Sequence, residues 1–312
     1  EDKVQFFRIV LMEGMILLLA KQMTVSALGK YIDETDKRVF RVLRYYVKRA
    51  HEKQDCSVIT SICVDETASK KGHNYITVFS DVDTGKVVYV TPGKDASTIA
   101  DFRDFLLTHN GNPNQIHSVC CDMSPAFIGG VENTFPDASI VFDKFHLMLA
   151  VNKTVNDIRI EERKTTDALK KTKYLFLKNP ENLTEKERKK LDSIVCQNLK
   201  TAKAYHIRLN FQELWKCKTP SAAEKFLKQW YFWITHSKIP QMKELAKTIK
   251  RHWKGIINYF FAHVTNGILE GINGMIQNIK REARGYKNIG NFITMIYLRL
   301  GELELEVPML KA

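Results

Sequence analysis

The sequence predicts an α/β fold with a mixed five-stranded sheet, joined to a large all-helical segment and preceded by a helical hairpin. Three observations carry this prediction: strand-like segments recur between residues 57 and 143, none occurs from 144 to about 260, and residues 23–50 have helical spacing. With 312 residues and 44% hydrophobic content, the chain is long enough for two or three domains with a sizeable core.

The strand-like segments are rich in Val, Ile, Tyr and Thr, which favour strands. Asp83-Thr84-Gly85 predicts a tight hairpin between the second and third strands. Helical patterns at 95–109 and 125–135 separate the later strands. The predicted strands cover residues 57–64, 74–82, 86–91, 116–121 and 138–143.

The rest of the chain is predicted to be helical. Thr184 followed by Glu187 is a capping box within the long helical segment, and a helix is expected at 268–282, with another helical stretch reaching about 305. We expect a helix-turn-helix domain at 1–54, a first part of the α/β core at 55–148, a basic helical insertion at 149–260 and a second core part at 261–312.

The net charge of +13 is concentrated in one internal segment. Residues 151–258 hold 25 Lys and Arg against 11 Asp and Glu, so the remainder of the chain has a net charge of −1. A polyanion such as nucleic acid is the natural partner for this segment. A solvated, lysine-rich helical surface is the alternative.

The helical hairpin at 23–50 has the size of a helix-turn-helix, whose second helix enters the DNA major groove. Apolar residues including Val39 and Leu43 line one face of the second helix. A plain packing hairpin remains the alternative. The cations on its other faces are Lys37, Arg38, Arg41, Arg44 and Lys48.

No run of about 18 apolar residues occurs, so no membrane span is expected. The six cysteines include no CxxC pair, so a zinc ribbon is not encoded. Several of them lie in apolar strand-like runs, where cysteine behaves as a small hydrophobic residue, which favours a reducing compartment. We therefore expect a cytoplasmic protein without a signal peptide. The chain begins at Glu1, and we expect that its start is trimmed.

Two apolar strands end at an aspartate: "ICVDET" contains Asp65, and "SVCCDMSPAF" contains Asp122. If the fourth strand pairs in parallel with the first, these carboxylates lie on adjacent strands, about 5 Å apart between neighbouring backbones. Carboxylates that close repel each other unless a cation lies between them. Hard oxygen ligands of this kind suit Mg²⁺ or Mn²⁺. The strand order and the acids resemble the ribonuclease-H-like fold of DDE-type polynucleotidyl transferases.

Four stretches are similar to the ISL-three family of bacterial insertion-sequence transposases. They are "VDETASKKGHNYITVFSDVDTGKVV", "CCDMSPAF", "DASIVFDKFHLM" and "LEGINGMIQNIKREARGYKNIGNF", and the resemblance covers roughly residues 24–300. It implies the catalytic and metal-binding triad Asp65, Asp122 and Glu270, with Glu270 on a late helix. It also implies two Mg²⁺ or Mn²⁺ ions, nicking at element ends, and strand transfer by the liberated 3′-OH.

The resemblance further implies double-stranded DNA as partner, a homodimer on paired ends and a bacterial, nucleoid-associated location. Family members usually carry an N-terminal zinc-binding motif, which this sequence does not contain. Related transposases often have a basic residue seven positions after the glutamate, where this chain has Gln277; Lys280 and Arg281 are the candidates for its phosphate contact.

Asp143 and His146, spaced Asp-x-x-His, resemble a pair that lies near the active site in related transposases, and we expect an indirect or structural role. Glu66 alternates to the opposite face of its strand from Asp65. Trp230 and Trp233 are interpreted as core residues or, alternatively, as platforms for an unpaired base at a cleaved DNA end.

Two other functions remain open. One is a nuclease that uses the same triad without strand transfer, which the absence of joined products would identify. The other is a catalytically silent DNA-binding protein derived from a transposase. The three intact acids argue against the silent protein.

Overall fold

The computed structural model describes the backbone of residues 2–70, 72, 74–262 and 266–306; the side chains of 2–9 and 262–270 are outside the description. The chain divides into two compact units. Unit 1 comprises residues 1–139 and 264–312, and unit 2 comprises residues 140–263. The first division falls within the last strand of the sheet, Ser139–Phe142.

A five-stranded mixed sheet has the order β3-β2-β1-β4-β5. Strand β1 pairs antiparallel with β2 and parallel with β4, and β2 pairs antiparallel with β3. The predicted parallel pairing of the first and fourth strands is confirmed. The strands are β1 Ser61–Lys70, β2 Asn74–Asp81, β3 Val87–Pro92, β4 Ser118–Cys121 and β5 Ser139–Phe142.

Strand β1 corrects one expectation, because it begins later than residue 57 and continues past Asp65 to Lys70. Its second half is paired only with β2, to the pair Lys70–Asn74. The charged residues from Asp65 onward resemble the end of a buried strand in sequence. In the fold they belong to a long hairpin arm that extends beyond β4.

Helices α1, α2, α3, α13 and α14 share one hydrophobic core with β2 and β3 in unit 1. Leu28, Val39 and Leu43 are fully buried there together with Phe292 of α14. Thr35 caps α3 by accepting a hydrogen bond from the Arg38 backbone N–H at 3.3 Å. The helices of this unit are α1 Asp2–Ala20, α2 Val25–Tyr31, α3 Asp36–His51, α4 Ser97–Thr108, α5 Pro125–Thr134, α13 Asn266–Glu282 and α14 Ile289–Leu300.

Within the described part of unit 2, everything after β5 is helix, turn or loop, as the sequence predicts. The predicted capping box is confirmed, since Thr184 and Glu187 bond each other's backbone N–H groups. The helices are α6 Lys144–Glu162, α7 Lys173–Leu177, α8 Glu185–Val195, α9 Lys200–Glu213, α10 Pro220–Thr235, α11 Pro240–Arg251 and α12 Trp253–Ala262.

The mixed sheet flanked by helices fits a ribonuclease-H-like α/β fold. All six cysteines are free thiols, and four of them are buried. Over the residues that are described, no helix has both the length and the apolar character needed to cross a membrane.

Candidate active site

Asp65 of β1 and Asp122, the residue after the end of β4, occupy equivalent positions relative to the parallel pairing of these strands. The parallel ladder pairs Cys63 of β1 with Cys120 of β4, and each aspartate lies two residues further on. Neighbouring strands lie about 5 Å apart, so the register brings the backbones of the two aspartates close together where β4 ends. Both side chains are half-buried.

Backbone N–H groups orient both carboxylates. Oδ1 of Asp65 accepts a hydrogen bond from the Glu66 N–H at 2.7 Å. Oδ1 of Asp122 accepts one from the Ser124 N–H at 2.9 Å, in the turn that leads into α5. Oδ1 of each carboxylate is therefore held by the backbone N–H of a residue one or two positions further along the chain.

Helix α13 lies along the extended half of β1 and contacts it at three successive turns. The Asn273 side-chain amide donates a hydrogen bond to Oδ2 of Asp65. One turn later the Gln277 amide donates to the hydroxyl of Thr67. Lys280 then donates from Nζ to the carbonyl of Ala68 at 2.5 Å. These bonds fix α13 against the strand that carries the first aspartate.

Gln277 and Lys280, which lie at or near the expected phosphate contacts, both bond strand β1. Gln277, at the position that is often basic in related proteins, bonds Thr67 of the strand. Lys280 is half-buried with its ammonium group on a backbone carbonyl, whereas Arg281 is exposed. Asn273 was not among the predicted site residues; its spacing of three from Glu270 is the pattern that could have identified it.

Glu270 lies in α13 by its position, but its side chain is outside the described residues. No three His, Cys, Asp or Glu side chains that the structure describes are close enough together to hold a metal ion. The described part of the predicted triad therefore consists of two carboxylates, Asp65 and Asp122.

Asp143 and His146 form a local pair at the start of α6 in unit 2. Oδ1 of Asp143 caps the helix by accepting from the Phe145 N–H at 2.9 Å, and Oδ2 lies 3.1 Å from Nδ1 of His146. Asp143 is buried, and the His146 ring meets Phe145 edge-on. The Asp-x-x-His spacing therefore has a clear structural use as a helix cap.

The predicted cations of α3 are all exposed. Arg38 is held by Glu34 at 2.7 Å, and Arg44 donates to Oδ1 of Asn291 at 3.0 Å. The opposite face of α3, which includes Val39 and Leu43, is buried as expected from its spacing. Lys37, Arg41 and Arg44 therefore face solvent from a helix whose position is fixed by its apolar side.

Trp230 and Trp233 differ in their surroundings. Trp230 is 1% exposed, and its indole N–H donates to the Ile207 carbonyl at 3.0 Å. A ring in this position is a core residue and is not accessible to a base in this conformation, as the core interpretation expects. Trp233 is 42% exposed, beside a pocket of about 420 Å³ that includes His206.

Comparison with known proteins identifies relatives over most of the chain. A family model described as a transposase, the ISL-three type DDE_Tnp_ISL3, matches residues 62–296. The transposase for insertion sequence element IS1001 of Bordetella parapertussis is 27% identical over 286 residues, which cover 89% of this chain and 70% of that protein.

Two transposases for insertion sequence element IS1557, from the CDC 1551 / Oshkosh and ATCC 25618 / H37Rv strains of Mycobacterium tuberculosis, are 27% identical over 267 residues. These residues cover 77% of this chain and 60% of each relative. The chain thus spans between 60% and 70% of the length of these relatives.

Proposed function

Because this chain belongs to the ISL-three family of DDE transposases, we propose that it is a DNA transposase that nicks DNA at insertion-sequence ends and joins strands through the liberated 3′-OH. The observation that carries the proposal is the register of β1 and β4. It sets Asp65 and Asp122 at equivalent positions beyond the pair Cys63–Cys120.

The two aspartates fit a divalent metal by their donor chemistry. Each offers hard carboxylate oxygens and is oriented by a backbone N–H on Oδ1, and such oxygens suit Mg²⁺ or Mn²⁺. In the described part of the chain Oδ2 of Asp122 has no protein partner, which leaves it available as a ligand. Oδ2 of Asp65 bonds the amide of Asn273, which can release it or orient it toward an ion.

We place Glu270 as the third ligand from its position in α13. It precedes Asn273 by three residues and Gln277 by seven, and residues with this spacing share one face of a helix. Asn273 and Gln277 both bond β1. Gln277 bonds Thr67, and Asn273, one turn earlier in α13, bonds Asp65, which lies earlier in β1. The turn before Asn273 therefore continues toward the part of β1 that pairs with β4.

In the proposed reaction, Asp65, Asp122 and Glu270 would hold two divalent ions. When bound, such ions activate the attacking oxygen and stabilise the leaving oxygen of a phosphodiester. Attack by water forms a new P–O bond and breaks the bond to the 3′ oxygen, which departs as a hydroxyl. Attack by that 3′-OH on a second phosphodiester forms the P–O bond of the joined strand and breaks the bond to the 3′ oxygen of the second strand, which departs as a new hydroxyl. The chain's own part is to orient the carboxylates, through the N–H groups of Glu66 and Ser124 and the amide of Asn273.

We further propose that two copies act on a pair of element ends, since both ends must be cut and joined. The exposed lysines of unit 2 and the exposed cations of α3 supply positive charge for the DNA backbone. Trp233 is the aromatic residue we retain as a stacking platform for an unpaired base, because it is exposed.

The test is Mg²⁺-dependent nicking of a duplex that carries an element end, with Asp122→Asn compared with the wild-type chain. The amide keeps the side chain's size and its bond to the Ser124 N–H but removes the charge, so nicking should fall by about 100-fold or more. Asp137→Asn, an exposed acid of the same unit, is the matched control and should nick normally.

Wild-type nicking by Asp122→Asn would sink the assignment of the site. Nicks without joined products would identify a nuclease without strand transfer. Duplex binding without any metal-dependent cleavage, under conditions where the protein is folded, would identify a silent DNA-binding protein.

A further inference from the structure

A groove of about 870 Å³ in unit 1 lies between the helices α2 and α3 and the loop that joins α13 to α14. Cations line both of its walls. Lys30, Lys37 and Arg44 come from the α2–α3 side, and Arg284 and Lys287 come from the α13–α14 loop. All five side chains are exposed. We call this surface the basic groove.

Within the part of the chain that the structure describes, no carboxylate forms an ion pair with the cations of the basic groove. None of the five takes part in an ion pair with a described residue, and Arg44 bonds only the neutral amide oxygen of Asn291. Of the two acids that line the groove, Glu282 is held by Arg299 at 2.7 Å. Asp36 alone remains against five positive charges. The surface therefore favours an anionic partner.

The α13–α14 loop, which forms one wall of the basic groove, has a defined backbone conformation and is hydrogen-bonded to elements of the candidate active site. Arg284 and Gly285 both have left-handed backbone angles, with φ of 53° and 92°. The Gly285 N–H donates to the Lys280 carbonyl at 2.8 Å, which ends α13. Lys70, at the end of β1, donates from Nζ to the Lys287 carbonyl. The loop is thus bonded to the helix and to the strand that carry two of the proposed metal ligands.

Aromatic packing fixes the floor between the two walls. Tyr286 stacks on Phe292 with ring centres 5.0 Å apart and meets Phe40 of α3 edge-on at 6.5 Å. Burial raises the pKa of Tyr286 to about 12, so the floor is neutral at physiological pH. The separation of the basic walls is therefore set by the packed core beneath them.

We propose that the basic groove holds the phosphate backbone of double-stranded DNA, with Arg284 and Lys287 on one side and Lys37 and Arg44 on the other. Cations spread along two open walls suit the repeated phosphates of a duplex better than one small anion, which needs donors converging on a point. Because the loop is bonded to α13 and β1, a duplex held by α3 is positioned relative to the catalytic edge of the sheet. This inference rests on the proposed function, since it assigns the DNA contact of that same enzyme.

The experiment measures binding of an end-containing duplex across a range of salt concentrations. Arg284→Asn combined with Lys287→Gln removes both loop charges, and Asn tolerates the left-handed backbone of position 284. Losing two phosphate contacts should lower the salt slope of log K by about 2 and weaken binding at least several-fold. Lys37→Gln combined with Arg44→Gln, on the opposite wall, should act in the same direction.

The matched control is Lys53→Gln combined with Lys86→Gln, which removes the same charge from unit 1 outside the groove. These lysines are paired with Glu306 at 2.7 Å and Glu302 at 2.9 Å, so the salt slope should stay near the wild-type value. Thermal unfolding checks that each variant is folded.

An unchanged salt slope in both groove variants would overturn the groove assignment, even if Asp122→Asn is inactive. Loss of single-strand binding with duplex binding intact would also overturn it. Normal nicking by Asp122→Asn would sink the catalytic proposal instead and would leave the duplex measurement standing.

Discussion

The side-chain amide of Asn273 donates a hydrogen bond to Oδ2 of Asp65 across 208 positions of the sequence. This bond joins helix α13 to the central strand β1, two residues beyond Cys63, the last residue of β1 that pairs with β4. Since Oδ1 of the same carboxylate accepts the Glu66 N–H, both oxygens of Asp65 are oriented by the protein. Asn273 is therefore a positioning residue for a proposed metal ligand.

Replacing Asn273 with Ala should weaken the use of Mg²⁺ without unfolding the protein. Hydrogen-bond partners of metal ligands are typically worth about 10–100-fold in metal affinity or activity. We expect the Mg²⁺ concentration for half-maximal nicking to rise within that range. The measurement is a nicking assay titrated with Mg²⁺.

The control for Asn273→Ala is Asn278→Ala, since Asn278 is exposed on the same helix. It should leave the Mg²⁺ titration unchanged. If Asn273→Ala also titrates like the wild-type protein, the positioning role is wrong.

Replacing the two tryptophans of α10 one at a time should have different effects on the free energy of unfolding and on DNA binding. Trp230→Ala removes a buried ring that packs 4.6 Å from Phe211 and bonds Ile207, and it should cost about 3–5 kcal/mol of unfolding free energy. Trp233→Ala should cost about 1 kcal/mol or less because its ring is partly exposed. Urea denaturation measures both.

A base stacked on an aromatic ring contributes about 1–3 kcal/mol. If Trp233 stacks on an unpaired base, Trp233→Ala should weaken single-strand binding by that amount, as measured by fluorescence anisotropy. Unchanged binding would remove Trp233 from the DNA site, and a Trp230→Ala protein of normal stability would contradict its place in the core.

Tyr297→Phe should destabilise unit 1 although it removes a single oxygen. The hydroxyl of Tyr297 accepts a hydrogen bond from the Val90 N–H at 2.8 Å and is buried between α14 and β3. Its loss leaves a buried backbone donor without a partner, which costs about 1–3 kcal/mol. Tyr31→Phe is the control, because Tyr31 is 74% exposed and should change stability little. Equal unfolding free energies of the two variants would contradict this role of the Tyr297 hydroxyl.

His51 should make the protein less stable as the pH falls. Burial lowers the pKa of His51 below its usual value, and its ring packs 4.2 Å from Tyr297 and 4.9 Å from Phe105. Below a pH of about 6.5 the unfolded chain binds a proton that the folded chain still excludes, so the unfolding free energy decreases. The decrease ends below the lowered pKa of the folded state.

The check is the urea midpoint between pH 8 and pH 5 for the wild-type chain and His51→Gln. The variant should show a shallower decrease, whereas the exposed His236→Gln should follow the wild-type curve. Identical curves for wild type and His51→Gln would contradict a neutral, buried His51.

Local patterns were sufficient to predict much of the fold. The strand segments, the all-helical segment after β5 and the Thr184–Glu187 capping box follow from spacing and residue type, because each depends on neighbours within a few positions. The prediction of where β1 ends was wrong because it, too, used only neighbouring residues. Asp65 and the residues after it look like a strand end locally, but pairing with β2 continues the strand to Lys70.

The sequence by itself determined most of the helices and strands. It also determined the two aspartates that follow equivalent apolar runs. Both depend only on residues that are neighbours in the chain. Only the tertiary structure decided that Asn273 bonds Asp65, that Trp230 is buried while Trp233 is exposed, and that Arg284 and Lys287 face Lys37 and Arg44. These relationships depend on packing between elements far apart in the chain. Local periodicity shows which face of a helix or strand is apolar, but it does not show which other element that face contacts. The contacts are decided by the hydrophobic core in which these faces are buried together.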